Sequence, residues 1–113
     1  MALATFKDLV IDASDGRRLG AFWAKALGRR LEENGPDDVV LRGETPAQTV
    51  WVDQVPERKT VKNRVHWDVK GLVPALLEAG ARMIRPATED PEPDRTWDVL
   101  ADPEGNEFCV FAP

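Results

Sequence analysis

The sequence predicts an α+β fold built from two copies of one unit, because the same order of patterns occurs twice. In each half an alternating apolar strand leads into an amphipathic helix, which ends at Gly28 in the first half and at Gly80 in the second. Short strands follow each helix. We therefore expect two βαβββ modules that form a curled mixed β-sheet, with the helices on its outer face.

The length of 113 residues fits a single domain. We place the first module at about residues 1–53, a linker at 54–62 and the second module at 63–113. Residues 53–62 contain Pro56 and five charged residues, a composition typical of an exposed connection. Two copies are too few for a repeat array, so we expect the modules to pair about a pseudo-twofold axis.

Composition and charge exclude several classes of partner. Hydrophobic residues make up 42% of the chain, as in ordinary globular proteins. The net charge is −5 and the basic residues are dispersed, so no nucleic-acid partner is expected. No apolar run reaches the roughly 18 residues of a membrane span, and the start lacks a secretion signal. We expect a cytoplasmic protein, which also suits the single cysteine, Cys109.

The first half begins with an alternating strand followed by a capped helix. The apolar face of the strand holds Leu9, Ile11 and Ala13, and its more polar face holds Asp8, Val10 and Asp12. Ser14 or Asp15 can cap the helix, whose apolar stripe is Leu19, Phe22, Trp23, Ala26 and Leu27. Further strands are predicted near residues 30–33, 38–42 and 48–52, separated by glycine and proline turns.

The second half repeats this order. Its first strand alternates Val65, Trp67 and Val69 with His66, Asp68 and Lys70, and its helix presents Leu72, Val73, Leu76 and Leu77. Strands are predicted near residues 81–84, 97–101 and 107–111, with a type I turn at 102–105. Residues 85–96 form a proline-rich loop, either a lid or a plain connector. On aligning the halves, Asp8 matches His66 and Val50 matches Cys109.

The polar faces of these strands predict a cleft that carries titratable groups. The apolar faces must meet the helices, so the opposite faces line the concave side of the sheet. The candidate ligand-binding residues are Asp8, Asp12, His66, Asp68, Trp97, Glu107 and Cys109. Each has an alternative role: His66 as a hydrogen-bonded structural residue, Cys109 as an inert buried thiol, Trp97 as core or interface packing, and the carboxylates as solvated groups.

Four segments together resemble the glyoxalase/bleomycin-resistance/dioxygenase superfamily, also called the vicinal oxygen chelate superfamily. They are residues 11–15 (IDASD), 22–28 (FWAKALG), 63–68 (NRVHWD) and 102–110 (DPEGNEFCV). The match spans nearly the whole chain and is closest to the small glyoxalase-like proteins. The resemblance implies two βαβββ modules around a small-molecule site, commonly in a dimer.

Many members of that superfamily hold a divalent metal, and the resemblance places its ligands at Asp8, Val50, His66 and Cys109. Of these residues only His66 is the one most expected at its position. Val50 cannot ligate, Asp8 stands where His or Gln is usual, and Cys109 replaces the usual Glu. We therefore assign no metal or cofactor, although Asp, His and Cys with an open fourth position can in principle hold zinc.

Three functions remain open at this point, the third and weakest being a purely structural partner domain. The first is an enzyme, a lyase, isomerase or dioxygenase acting on a small oxygenated metabolite, with His66 as the catalytic residue. The second is a metal-free module that binds or sequesters a small molecule, as drug-resistance members do. We expect a homodimer, and the cleft closes either within one chain or across two.

Overall fold

The structure is a computed structural model that describes residues 2–89 and 96–113. The chain divides into two compact units, Met1–Arg58 and Lys59–Pro113. Both units have the element order strand, helix, strand, strand, strand. No helix among the described residues is long and apolar enough to cross a membrane. Half of the predicted loop at residues 85–96, namely residues 90–95, lies outside the described residues, and Ala87–Glu89 form a short 3-10 helix.

The first unit is a four-stranded mixed sheet with one helix. Its elements are β1 (Leu9–Ala13), α1 (Gly16–Leu27), β2 (Arg30–Glu33), β3 (Val39–Arg42) and β4 (Val50–Gln54). The strand order is β1-β4-β3-β2, with β1 parallel to β4 and the other pairs antiparallel. This arrangement confirms the predicted βαβββ module.

The second unit has the same topology with shorter elements. They are β5 (Asp68–Lys70), α2 (Val73–Ala79), β6 (Arg82–Arg85), β7 (Asp98–Ala101) and β8 (Glu107–Phe111). The strand order is β5-β8-β7-β6, with β5 parallel to β8. The prediction of an α+β fold with two such modules is confirmed, and each module forms a separate four-stranded sheet.

Local chemistry determines where α1 begins and ends. The Asp15 carboxylate accepts a hydrogen bond of 3.1 Å from the backbone N–H of Arg18, so Asp15 is the N-cap. At the other end Gly28 adopts a left-handed conformation with φ 64°, and its N–H bonds to the carbonyl of Ala24. The helix therefore ends where the sequence predicted, at a residue without a Cβ.

The core of the first unit forms where α1 packs on its sheet. Leu19 and Trp23 are fully buried, and the rings of Phe22 and Trp23 meet edge to face with centroids 5.0 Å apart. On the sheet, Val39, Leu41 and Val52 are also buried. The helix can approach β3 closely because Gly20 faces Val39, and a Cβ at position 20 would clash with Val39 Cγ2.

The second unit buries less of its predicted apolar surface. Val65 is 77% exposed, because the first strand begins only at Asp68 rather than at residue 65 as predicted. Of the predicted stripe on α2, Leu76 is buried while Leu72 is 63% exposed. Leu72 is the N-cap residue and has an extended backbone, so its side chain does not follow the helical period. Leu77 follows Leu76 directly and lies about 100° further around the helix, so the two side chains do not share one face.

The predicted alignment of the two halves, which matched Val50 with Cys109, is wrong by one residue on the last strand of each unit. In the register of the parallel pairs, Leu9 is level with Val50, and Asp68 is level with Cys109. Val50 is buried on β4, whereas Cys109 is half-buried between two buried neighbours on β8.

The residue of β4 equivalent to Cys109 is therefore Trp51, and Val50 corresponds to Phe108. The registers show that the two predicted matches cannot both hold, and the burial pattern favours Asp8 with His66, because it makes the exposed residues Val10 and Asp68 equivalent. The error matters because a shift of one residue moves a strand residue to the opposite face of the sheet.

We expect Gly20→Ala to destabilise the protein although alanine is the better helix former by about 1 kcal/mol. The added methyl group must displace the stiff, buried Val39, and overpacking of this kind costs about 1–3 kcal/mol. Urea unfolding would measure the change in the free energy of unfolding. The matched double variant Gly20→Ala/Val39→Ala should lose less free energy of unfolding than the sum of the losses in the two single variants. A Gly20→Ala variant that is at least as stable as the parent protein would contradict the close approach of α1 to β3.

Candidate functional site in the second unit

The candidate site is a groove of about 600 Å³ on the second unit. It lies on the face of the sheet that carries the residues alternating with the core positions Phe108 and Val110. Its lining includes Lys62, His66, Asp68, Ile84, Arg85, Trp97, Val99, Glu107, Cys109 and Phe111. Five of the seven sequence-predicted site residues are in this set: His66, Asp68, Trp97, Glu107 and Cys109.

One wall of the groove is aromatic. The rings of Trp97 and Phe111 are 5.4 Å apart between centroids and inclined by 32°. Val99 on β7 and Ile84 on β6 continue this apolar surface. A wall of this kind binds the flat, apolar part of a ligand. Phe111 was not among the predicted site residues, although its alternation with Cys109 could have indicated it.

His66 and Asp68 form the polar end of the groove. His66 Nδ1 lies 3.2 Å from Asp68 Oδ1 and 3.3 Å from the carbonyl oxygen of Trp67. A carbonyl and an ionised carboxylate only accept hydrogen bonds, so the neutral imidazole carries its proton on Nδ1. The lone pair of Nε2 is then available as a base.

The position of His66 depends on its neighbours in the chain rather than on strand pairing of its own, since β5 begins two residues later. The Asn63 amide donates to the carbonyl of Glu107 (3.1 Å) and accepts from the N–H of Glu107 (2.8 Å). The N–H of Cys109 donates to the carbonyl of Trp67 at 3.0 Å. These bonds hold the segment containing His66 alongside β8. Asn63 was absent from the predicted site.

Cys109 lies at the centre of the sheet face, level with Asp68 on one side and opposite Val99 on the other. One donor atom from each of His66, Asp68 and Cys109 lies within 4.8 Å of the other two. The side chains of His66 and Asp68 are 44% and 57% exposed, so both are accessible from solvent. Nitrogen, oxygen and sulfur donors therefore converge within one unit.

Basic groups balance the carboxylates of the groove. Lys62 forms an ion pair with Glu107, whose side chain is 25% exposed. Arg85 adds a second positive side chain to the lining. Neither basic residue was predicted to be part of the site. Lys62 was placed in the predicted linker 54–62 and Arg85 in the predicted loop 85–96, because the proline and charge content of these segments indicated only connections.

The other two predicted site residues, Asp8 and Asp12, belong to the first unit. Asp8 forms a 2.6 Å ion pair with Lys7 and is 12% exposed. It lines a separate pocket of about 360 Å³ that also contains Trp51. The Lys7 ammonium and the Arg42 guanidinium lie 5.9 and 5.8 Å from the centroid of the Trp51 ring, so cations occupy this surface.

Asp12 lies level with Asp53 on the neighbouring strand. Burial raises the pKa of the Asp53 carboxyl, and the negative charges of Asp38 and Asp12 raise it further. Asp12 therefore belongs to a small acidic group at the end of β1 and β4, and it lines none of the pockets described above.

A family model described as the glyoxalase-like domain matches residues 8–111. The chain therefore belongs to the glyoxalase-like domain family, in agreement with the resemblance of its motifs to the small glyoxalase-like proteins. The sequence matches no curated protein.

Solved structures share the fold at low identity. A glyoxalase/bleomycin resistance protein/dioxygenase family enzyme from Burkholderia phytofirmans PsJN is 23% identical, with a TM-score of 0.68 over 95% of this chain and 97% of its own. The hypothetical protein SA1046 from S. aureus is 18% identical, with a TM-score of 0.68 and coverage of 100% and 95%. The bleomycin-binding protein of Streptomyces verticillus, solved with copper(II)-bleomycin, is 19% identical, with a TM-score of 0.55 and coverage of 100% and 99%. At these identities the likeness shows the fold alone.

We expect Asn63→Ala to loosen the polar end of the groove, since it removes both hydrogen bonds to the backbone of Glu107. The loss should cost about 1 kcal/mol in the free energy of unfolding, and exchange of the Glu107 amide hydrogen should become faster. Urea unfolding and hydrogen exchange measure the two effects. Asn63→Asp keeps the acceptor for the Glu107 N–H and should be affected less. Unchanged exchange at Glu107 in the alanine variant would contradict the role of Asn63.

Proposed function

We propose that the protein binds a small organic molecule in the groove of the second unit. The flat, apolar part of the ligand would lie against Trp97 and Phe111, and its polar part would face His66 and Asp68. The observation that carries this proposal is a groove of about 600 Å³ with an aromatic pair at one end and convergent polar side chains at the other. This size and lining are typical of small-molecule sites.

The structural neighbours support the choice of ligand class. The S. verticillus protein with this fold binds copper(II)-bleomycin, and the B. phytofirmans protein is described as an enzyme of the superfamily. A ligand that combines planar rings with polar groups would match both ends of the groove. The lining supports binding of such a ligand without any assumption about a reaction.

The test is a thermal-shift screen of planar heteroaromatic compounds, with bleomycin as the first probe. A ligand that occupies the groove should raise the melting temperature of the protein. Trp97→Ala should weaken its binding roughly fivefold, because an aromatic pair contributes about 1 kcal/mol. Trp97→Phe should retain part of the affinity. As a matched control, Trp51→Ala in the first unit should leave the affinity unchanged. A shift that is as large in Trp97→Ala as in the parent protein would place the ligand elsewhere, and a screen without any shift would oppose the proposal.

A second candidate function, catalysis by proton abstraction, is favoured by the His66–Asp68 pair. Asp68 holds the imidazole in the tautomer that leaves Nε2 as a base, and the His66 side chain is 44% exposed. The suitable reaction is removal of a proton from carbon next to a carbonyl in a small oxygenated metabolite. Arg85 or Lys62 would stabilise the negative charge that develops on oxygen.

We expect the protein to catalyse exchange of such a proton for deuterium in a small α-hydroxyketone, followed by proton NMR in D₂O. General-base catalysis contributes about 10²–10⁴-fold, so His66→Gln should lose a factor in this range. Asp68→Asn should retain more activity than His66→Gln, since it disturbs only the orientation of the ring. Exchange at the same rate in His66→Gln would exclude His66 as the base.

A homodimer in the cytoplasm remains a prediction from the sequence and the family resemblance. Exposed apolar side chains are available for a subunit contact, among them Val61, Val65 and Leu72. Light scattering coupled to size-exclusion chromatography would give the oligomeric state.

A further inference from the structure

The three donors of the groove meet because of how the sheet is paired. His66 and Asp68 are two residues apart in an extended segment, so their side chains lie on the same face. Cys109 stands level with Asp68 on the adjacent strand β8. Their donor atoms all lie within 4.8 Å of one another, and no fourth side chain of the described residues joins this group.

We propose that the second unit by itself holds a borderline-soft divalent cation, with Zn²⁺ as the best match, through His66, Asp68 and Cys109. Thiolate, imidazole and carboxylate are the ligand types that zinc prefers. Magnesium, calcium and manganese favour sites made of oxygen ligands, which this group does not provide. Three protein ligands leave one position of a tetrahedral ion for an external molecule.

The spacing of the donors suits this assignment. On a tetrahedral zinc ion with bonds of about 2.0–2.3 Å, neighbouring donor atoms are roughly 3.3–3.6 Å apart. His66 Nδ1 and Asp68 Oδ1 are already 3.2 Å apart, so the ion would take the place of the shared proton. The thiol needs only a movement of about 1 Å relative to the other donors, and the exposed side chains of His66 and Asp68 can rotate to allow it.

This site differs from the ligand set that the family resemblance implies. That set includes Asp8 and Val50, but Val50 is buried and apolar, and Asp8 is engaged by Lys7. The third ligand in our proposal is Asp68, which the implied set does not contain.

The first unit cannot form the same group of donors. Its residues equivalent to His66, Asp68 and Cys109 are Asp8, Val10 and Trp51, of which only Asp8 carries a ligand atom. Among the described residues, this donor group therefore occurs in the second unit alone.

The external position of the ion would face the groove in which we propose that the organic ligand lies, so the two proposals share a location. They can fail separately. The metal experiment uses the metal ion alone, and the thermal-shift experiment can be run on protein dialysed against a chelator. If the protein binds no metal ion, the proposal of an aromatic ligand groove still stands. If it binds no organic ligand, the proposal of an ion-binding triad still stands.

The test is titration of chelator-treated protein with Co²⁺, a spectroscopic substitute for zinc. We expect one ion per chain, a thiolate-to-cobalt charge-transfer band in the near ultraviolet, and displacement of the cobalt by one equivalent of Zn²⁺. Cys109→Ser should abolish the charge-transfer band. His66→Gln and Asp68→Asn should each weaken cobalt binding at least tenfold. Circular dichroism and melting temperature should confirm that every variant folds.

The matched control is Asp8→Asn, which makes the same chemical change in the first unit and should leave cobalt binding unchanged. Absence of the charge-transfer band in the parent protein, or its persistence in Cys109→Ser, would overturn the proposal. So would full affinity in Asp68→Asn. If Asp8→Asn weakened binding as much as Asp68→Asn, the site would depend on the first unit, and the assignment to a single unit would be wrong.

Discussion

The groove depends on the alternation of side chains along β8. Phe108 and Val110 are buried in the core of the second unit, so Glu107, Cys109 and Phe111 must face the opposite side of the sheet. Because β8 pairs with both β5 and β7, its register also decides what stands next to each of these residues. Packing of two apolar side chains thereby positions a thiol, a carboxylate and an aromatic ring on one surface.

The two units show how a repeated fold can divide its tasks. In the first unit α1 packs closely on the sheet, and Trp23, Leu19 and Leu41 are fully buried. In the second unit α2 is short and buries only Leu76, while the polar face of the sheet carries the donors. At the equivalent place in the first unit is Trp51, whose ring has two cations within 6 Å of its centroid, at 5.9 and 5.8 Å. The shared topology therefore preserves the sheet order while the exposed faces have diverged.

Features that depend on neighbours in the sequence were predicted correctly. The cap, predicted at Ser14 or Asp15 and found at Asp15, and the left-handed residue at Gly28 follow from the conformational preferences of those residues themselves. The turn after β7 is similar: the buried Asp102 carboxylate accepts hydrogen bonds from the N–H groups of Glu104 and Asn106, and Gly105 has φ 86°. Features that depend on distant partners were less certain. Val65 was assigned to a buried strand because its pattern alternates, but no strand pairs there.

The sequence by itself determined the order of elements, the family and the kinds of side chain available to a site: one histidine, one cysteine and several carboxylates. Only the tertiary structure decided which of them meet. It placed Asp68 and Cys109 beside His66, brought Phe111 against Trp97, and showed that Trp51 rather than Val50 is the counterpart of Cys109. The physical reason is that strand register is set by the burial of the whole core, so a shift of one residue, invisible in a local pattern, exchanges the two faces of a strand.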